Sequence, residues 1–80
     1  MSGQRVQVTI EDPGDTVEVE VIAVMVEVGA SVSQGDVLLE IATDKANQDI
    51  EAPVDGVVAE LGVAEGDIIA VDRVLAVLST

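Results

Sequence analysis

The chain has no Phe, Trp or Tyr, no Cys and no His, and its 80 residues hold only three basic side chains against 16 acidic ones. Each absence excludes something. Without aromatics the apolar half of the composition must build an aliphatic core, in which 17 Val and six Ile outnumber five Leu. β-Branched side chains suit a pleated surface better than a helix. Without Cys there is no disulfide framework, no thiolate metal site and no cysteine nucleophile. Without His the commonest general base, the usual metal ligand and the near-neutral pH switch are gone. Carboxylates remain as ligands for a hard cation, but no D-x-D-x-D-G spacing assembles them. A net charge of −13 argues against nucleic acid and against an anionic membrane surface, and favours basic partners. No apolar run reaches the ~18 residues of a membrane-spanning helix, and the first residues have no apolar signal core. The expectation is a soluble intracellular protein.

What is present points to strands. The length suits one domain over 1–80, with an ordered core from about 5 to 79 and a thin stability margin. Val6, Val8 and Ile10 alternate with polar neighbours, as a half-buried strand does. Glu11-Asp12-Pro13-Gly14-Asp15 reads as a turn. Val17, Val19 and Val21 alternate again, but from Ile22 the phase flips and Ile22, Val24, Val26 and Val28 become the apolar set. Such a flip predicts a bulge, or a corner where the strand passes between sheets. Ala30 to Asp36 reads as a loop, Val37 to Ala42 and Asn47 to Ala52 as strands around the Asp44-Lys45 turn, and Pro53 to Gly56 as another turn. Val57 to Val63, Ile68 to Val71 and Val74 to Leu78 complete the set. No window repeats at the helical period, and turns every eight to ten residues predict an all-β barrel or sandwich.

A shift of 37 residues lays Val19–Ile41 on Gly56–Leu78. Val21 then meets Val58, Val26 meets Val63, Gly29 meets Gly66, Val37 meets Val74 and Leu38 meets Leu75. Two similar halves predict a pseudo-two-fold domain with about four strands in each. Lys45, the only lysine, falls at their junction. A single primary amine on an acidic chain is either a solvated turn residue or the target of a modification. Catalysis through a Schiff base is disfavoured, because such lysines are usually desolvated in a pocket. Gly29, Gly56 and Gly66 are expected at positive φ, and Met25 in the core.

The run Val37-Leu38-Leu39-Glu40-Ile41-Ala42-Thr43-Asp44-Lys45-Ala46, with Pro53 and Gly56 beyond it and the Gly29 turn before it, resembles the lipoyl domains of 2-oxo acid dehydrogenase complexes. The likeness covers about Val6 to Leu78. It implies a flattened sandwich of two four-stranded antiparallel sheets, and lipoate in amide linkage to Lys45. It implies a non-catalytic module of a dihydrolipoyl acyltransferase, a swinging arm carrying acyl groups and reducing equivalents. Partners implied are a lipoate-protein ligase or lipoyl transferase, a thiamine-diphosphate 2-oxo acid dehydrogenase, an acyltransferase core and dihydrolipoyl dehydrogenase. The isolated domain is expected to be a monomer, in a bacterial cytoplasm or the mitochondrial matrix.

By the same resemblance Asp44 and Ala46 form a recognition turn with Lys45, and Pro13, Gly14 and Asp15 contact a partner. Asp44 is equally a simple turn former. Ala46 is small either for packing or to leave the enzymes room. Glu40, Asp49 and Glu51 are solvated faces or a recognition surface near the turn. Related biotin carriers place methionines on both sides of their lysine, where this chain has Asp44 and Ala46. A biotinyl carrier is the nearest rival reading, and an acidic β-domain that binds a basic protein is the rival from another class.

Overall fold

The computed structural model describes residues 3–10, 17–43 and 45–80. Among the described residues eight strands run in order: β1 (Arg5–Val8), β2 (Glu18–Val24), β3 (Ser31–Val32), β4 (Val37–Ala42), β5 (Asn47–Glu51), β6 (Gly56–Leu61), β7 (Ile68–Ala70) and β8 (Ala76–Ser79). They form two four-stranded antiparallel sheets, ordered β1-β8-β6-β3 and β5-β4-β2-β7, packed as a flattened sandwich. The all-β expectation holds. Alternation decides which face is inside: Val19 and Val21 are buried while Glu18 and Glu20 are exposed.

The core between the sheets is aliphatic throughout. Leu38, Leu39, Ile41, Leu75 and Leu78 are fully buried, and the described residues bury no polar side chain. Each such side chain contributes roughly 1.5–3 kcal/mol by leaving water. A domain of 80 residues is stable by only about 4–12 kcal/mol in all. Each of these leucines is therefore a large fraction of the margin.

The half-repeat is written into the hydrogen bonds. The Gly29 amide donates to the Val58 carbonyl at 2.8 Å, and 37 residues on, the Gly66 amide donates to the Val21 carbonyl at 2.7 Å. The return bonds match too, from Val58 to Ala30 at 2.9 Å and from Val21 to Asp67 at 2.8 Å. The extra residue that shifts the β2–β4 register is Ile22, between Val21 and Ala23. Its counterpart Ala59 shifts the β6–β8 register between Val58 and Glu60. The phase flip read at Ile22 is thus a bulge. One sheet order maps on the other as β1 to β5, β8 to β4, β6 to β2 and β3 to β7.

Several expectations need correction. The segment Ala30 to Asp36 is not all loop, because Ser31–Val32 forms β3 against β6. The long strand ends at Val24, although the Met25 amide still donates to the Leu38 carbonyl of β4 at 2.8 Å; beyond it the chain crosses to the other sheet, where Gly29 and Ala30 bond Val58. Met25, between Val24 and Val26 that pack against the core, is 57% exposed on the outward side, so it is no core filler. The last strand starts at Ala76 and not Val74. Gly29 and Gly66 have φ of 95° and 94°, as expected, and Gly35 joins them at 93°. Gly56 is not at positive φ; a Cβ there would lie 2.7 Å from the Ser79 carbonyl oxygen, so close approach is its reason.

Candidate functional site

Lys45 stands in the turn between β4 and β5, and Thr43 holds that turn from within. The Thr43 amide donates to the Ala46 carbonyl at 2.9 Å, and the Thr43 hydroxyl donates to the same oxygen at 2.8 Å. The hydroxyl oxygen in turn accepts from the Ala46 amide at 3.3 Å and the Lys45 amide at 3.4 Å. One short side chain thereby ties both backbone sides of the turn, as Ser and Thr do where a chain reverses. The backbone under Lys45 is fixed while its side chain is exposed. Thr43 was not singled out in the sequence. The signal was a hydroxyl residue just before an Asp-Lys turn.

Ala46 is exposed, so tight packing does not explain its size. Pro13, Gly14, Asp15 and Asp44 lie outside the described residues. At the opposite end of the repeat, Thr80 repeats the role of Thr43. Its amide donates to the Gln4 carbonyl at 2.9 Å, and its hydroxyl oxygen accepts from the Gln4 amide at 3.3 Å. The two ends share one bonding pattern, and one of them carries the lysine.

The basic side chains are used differently. Arg5 pairs with Glu60 on the outer face of the β1-β8-β6-β3 sheet. Arg73 donates to the Gly62 carbonyl at 2.7 Å. Among the described residues the Lys45 ammonium makes no ion pair. Beside it, the outer face of the β5-β4-β2-β7 sheet carries Glu18, Glu20, Glu40 and Asp49, with Glu40 directly opposite Asp49. Glu51 sits at the far end of β5 from the turn, paired to Val37, and is not near the lysine. An exposed amine on a pinned hairpin accepts an acyl chain without displacing a core side chain, so the turn fits a covalently attached carboxylic-acid cofactor.

The family model described as "Biotin-requiring enzyme" (biotin/lipoyl) matches residues 6–78. The chain is 36% identical over 73 residues to the dihydrolipoyllysine-residue acetyltransferase component of the pyruvate dehydrogenase complex of Cupriavidus necator, covering 91% of this chain and 13% of that protein. It is 44% identical over 54 residues to the lipoamide acyltransferase component of the branched-chain alpha-keto acid dehydrogenase complex of Pseudomonas aeruginosa, covering 68% of this chain and 13% of that one. A third relative, the acetyltransferase component from Acholeplasma laidlawii, is 38% identical over 52 residues, 65% of this chain and 10% of its own. The chain spans about a tenth of the length of these relatives. With the family model matched along almost its whole length, and a β-sandwich that displays one lysine on a hairpin, this chain belongs to the biotin/lipoyl attachment family.

Proposed function

We propose that Lys45 carries lipoate in amide linkage, and that the domain is the acyl-carrying module of a 2-oxo acid dehydrogenase acyltransferase. The observation that carries this reading is the sole lysine, exposed on a hairpin whose backbone Thr43 pins through four hydrogen bonds. Lipoate is favoured over biotin by Asp44 and Ala46 beside the lysine, and by relatives named for dihydrolipoyllysine and lipoamide. When bound, lipoate supplies the redox-active disulfide that this cysteine-free chain lacks. The protein's own part is to hold the Lys45 backbone still, keep the amine in solvent and present Ala46 and Asp44 to the enzymes that read the turn.

A tethered arm replaces diffusion by a high local concentration, so a small rigid module suffices. The partners that follow are a lipoate-protein ligase or lipoyl transferase, a thiamine-diphosphate dehydrogenase, an acyltransferase core and dihydrolipoyl dehydrogenase. The place of action is a bacterial cytoplasm or mitochondrial matrix. Pro13, Gly14 and Asp15 are proposed as a contact with the dehydrogenase.

Intact-mass spectrometry of protein produced in a lipoate-supplied host tests the assignment. One lipoyl increment in the wild type and none in Lys45→Arg is expected, because a guanidinium stays protonated and is a poor acyl acceptor. A biotinyl increment, or a lipoyl increment retained by Lys45→Arg, overturns it.

A further inference from the structure

A groove of about 500 Å³ opens at the Lys45 end of the β5-β4-β2-β7 sheet. Val17, Glu18, Glu20, Ala42, Thr43 and Ile68 line it. The strand registers fix how it lies relative to the lysine. Glu20 pairs with Ala42 on one side and with Ile68 on the other. Continuing the β2–β4 ladder sets Val19 level with Thr43 and Val17 level with the turn that holds Lys45. Neighbouring strands are about 4.8 Å apart, so Val17 lies roughly one strand spacing from the hairpin, and Ile68 roughly 10 Å across the sheet from Ala42.

Ile68, 62% exposed, stands on the outer face beside Glu20, whereas Val17, 74% exposed, has the parity of Val19 and marks the end of the groove. Neither is needed there for the core. The other large exposed aliphatic side chains belong elsewhere: Met25 and Val28 to the crossing after β2, Val57 to the opposite sheet. The rim is acidic, through Glu18 and Glu20, so the groove disfavours phosphorylated or carboxylated ligands. It suits a neutral apolar chain. Acylation of Lys45 makes one, because the amide removes the ammonium and leaves a chain of methylenes ending in a ring. With about a dozen bonds near 1.5 Å in staggered geometry, that arm extends on the order of 15 Å, enough to pass Ala42 and reach Ile68.

We propose that this groove is a resting seat for the domain's own arm, the alkyl chain lying along Ala42 and the Glu20 methylenes and the ring against Ile68. The proposal rests on the reading of Lys45 as the lipoyl site. The seat is shallow and open, so it holds the arm part of the time, shielding the ring between visits to the enzymes while leaving it free to depart.

The test does not depend on any ligase. Lipoate is attached chemically to Lys45, and the singly modified species is separated from the one carrying it on the N-terminal amine. Amide NMR spectra of the plain and modified domains are then compared. Shifts at Glu18, Glu20 and Ile68 are expected, whereas shifts confined to residues 43–47 overturn the seat. The second readout is the rate at which a small phosphine reduces the ring. Ile68→Glu is expected to raise that rate at least twofold, with Val57→Glu on the opposite sheet equal to wild type. Equal rates in all three overturn the proposal. Failure of a ligase to load Lys45 would instead count against the lipoyl reading itself, and the chemically loaded domain keeps the two questions apart.

Discussion

Gly56 approaches the carbonyl oxygen of Ser79 so closely that a methyl group on its Cα would lie 2.7 Å from that oxygen. The contact joins the first residue of β6 to the last residue of β8, in the sheet opposite Lys45. The obstacle is backbone of β8, held between β1 and β6, and cannot swing aside as a side chain could. Gly56→Ala is therefore expected to destabilise by about 1–3 kcal/mol through forced strand displacement. Gly29→Ala and Gly66→Ala meet open space but keep φ of 95° and 94°. Each is expected to cost about 1–2 kcal/mol of backbone strain. Because the two occupy equivalent places in the half-repeat, their costs should agree within roughly 0.5 kcal/mol, about the limit of additivity at independent sites. Urea denaturation of the three variants checks both statements; a Gly29/Gly66 difference above that limit would break the energetic equivalence of the halves.

Glu40 stands directly opposite Asp49 on an exposed sheet face of a chain with net charge −13. Like charges opposed across strands destabilise by a few tenths to about 1 kcal/mol. Asp49→Lys should turn repulsion into attraction and raise the unfolding midpoint. The gain should shrink between low and ~1 M salt, where screening acts within about 3 Å. A gain that ignores salt would trace to strand propensity and not to the Glu40 charge.

Much of this fold was legible because it is periodic. Alternation at Val19 and Val21, its flip at Ile22 and the 37-residue echo between Gly29 and Gly66 predict strands, bulge and halves, and hydrogen bonds repeat each of them. Lys45 was legible as the sole lysine at the junction of the halves. Short or non-periodic features were not. β3 holds two residues, too few for alternation, although its repeat partner around Ile69 is plainly apolar. Met25 has the chemistry of a core residue, but it alternates with Val24 and Val26, which pack against the core, and so points outward. Gly56 was expected at positive φ but is needed for close approach, and Gly35 takes a positive φ that no motif announced, because both depend on neighbours remote in sequence.

Thr43 is the least conspicuous residue of the turn and the one that fixes it. Thr43→Val keeps shape and β-branching but removes the hydroxyl that donates to Ala46 and accepts from two amides. The stability cost should be modest, about 0.5–1.5 kcal/mol, since the turn is solvated and water replaces part of the loss. The effect on modification should be larger than that cost suggests. A looser turn presents Lys45 in many orientations, and a ligase must select the productive one. A fall of fivefold or more in the specificity constant for lipoylation, with the circular dichroism spectrum retained, is expected. Unchanged lipoylation kinetics would show that the enzyme itself moulds the turn.

Moving the amine by one residue separates display from mere presence. Lys45→Ala combined with Ala46→Lys keeps composition and charge. It shifts the side chain from the residue whose amide points at the Thr43 hydroxyl to the one whose carbonyl receives both Thr43 bonds. Side chains of successive residues leave an extended backbone on opposite sides, so the amine is re-aimed as well as displaced. The backbone bonds of the turn use no Lys45 or Ala46 side-chain atom, so the fold should be kept and thermal unfolding should stay near wild type. Lipoylation should fall at least tenfold, because misplacement by an ångström or more at the reacting atom is enough to lose that much rate. Time-resolved intact-mass measurement reads it directly. Loading at the wild-type rate would mean that the ligase reads a lysine in an acidic, flexible peptide. The pinned hairpin would then contribute stability and reach, but no recognition.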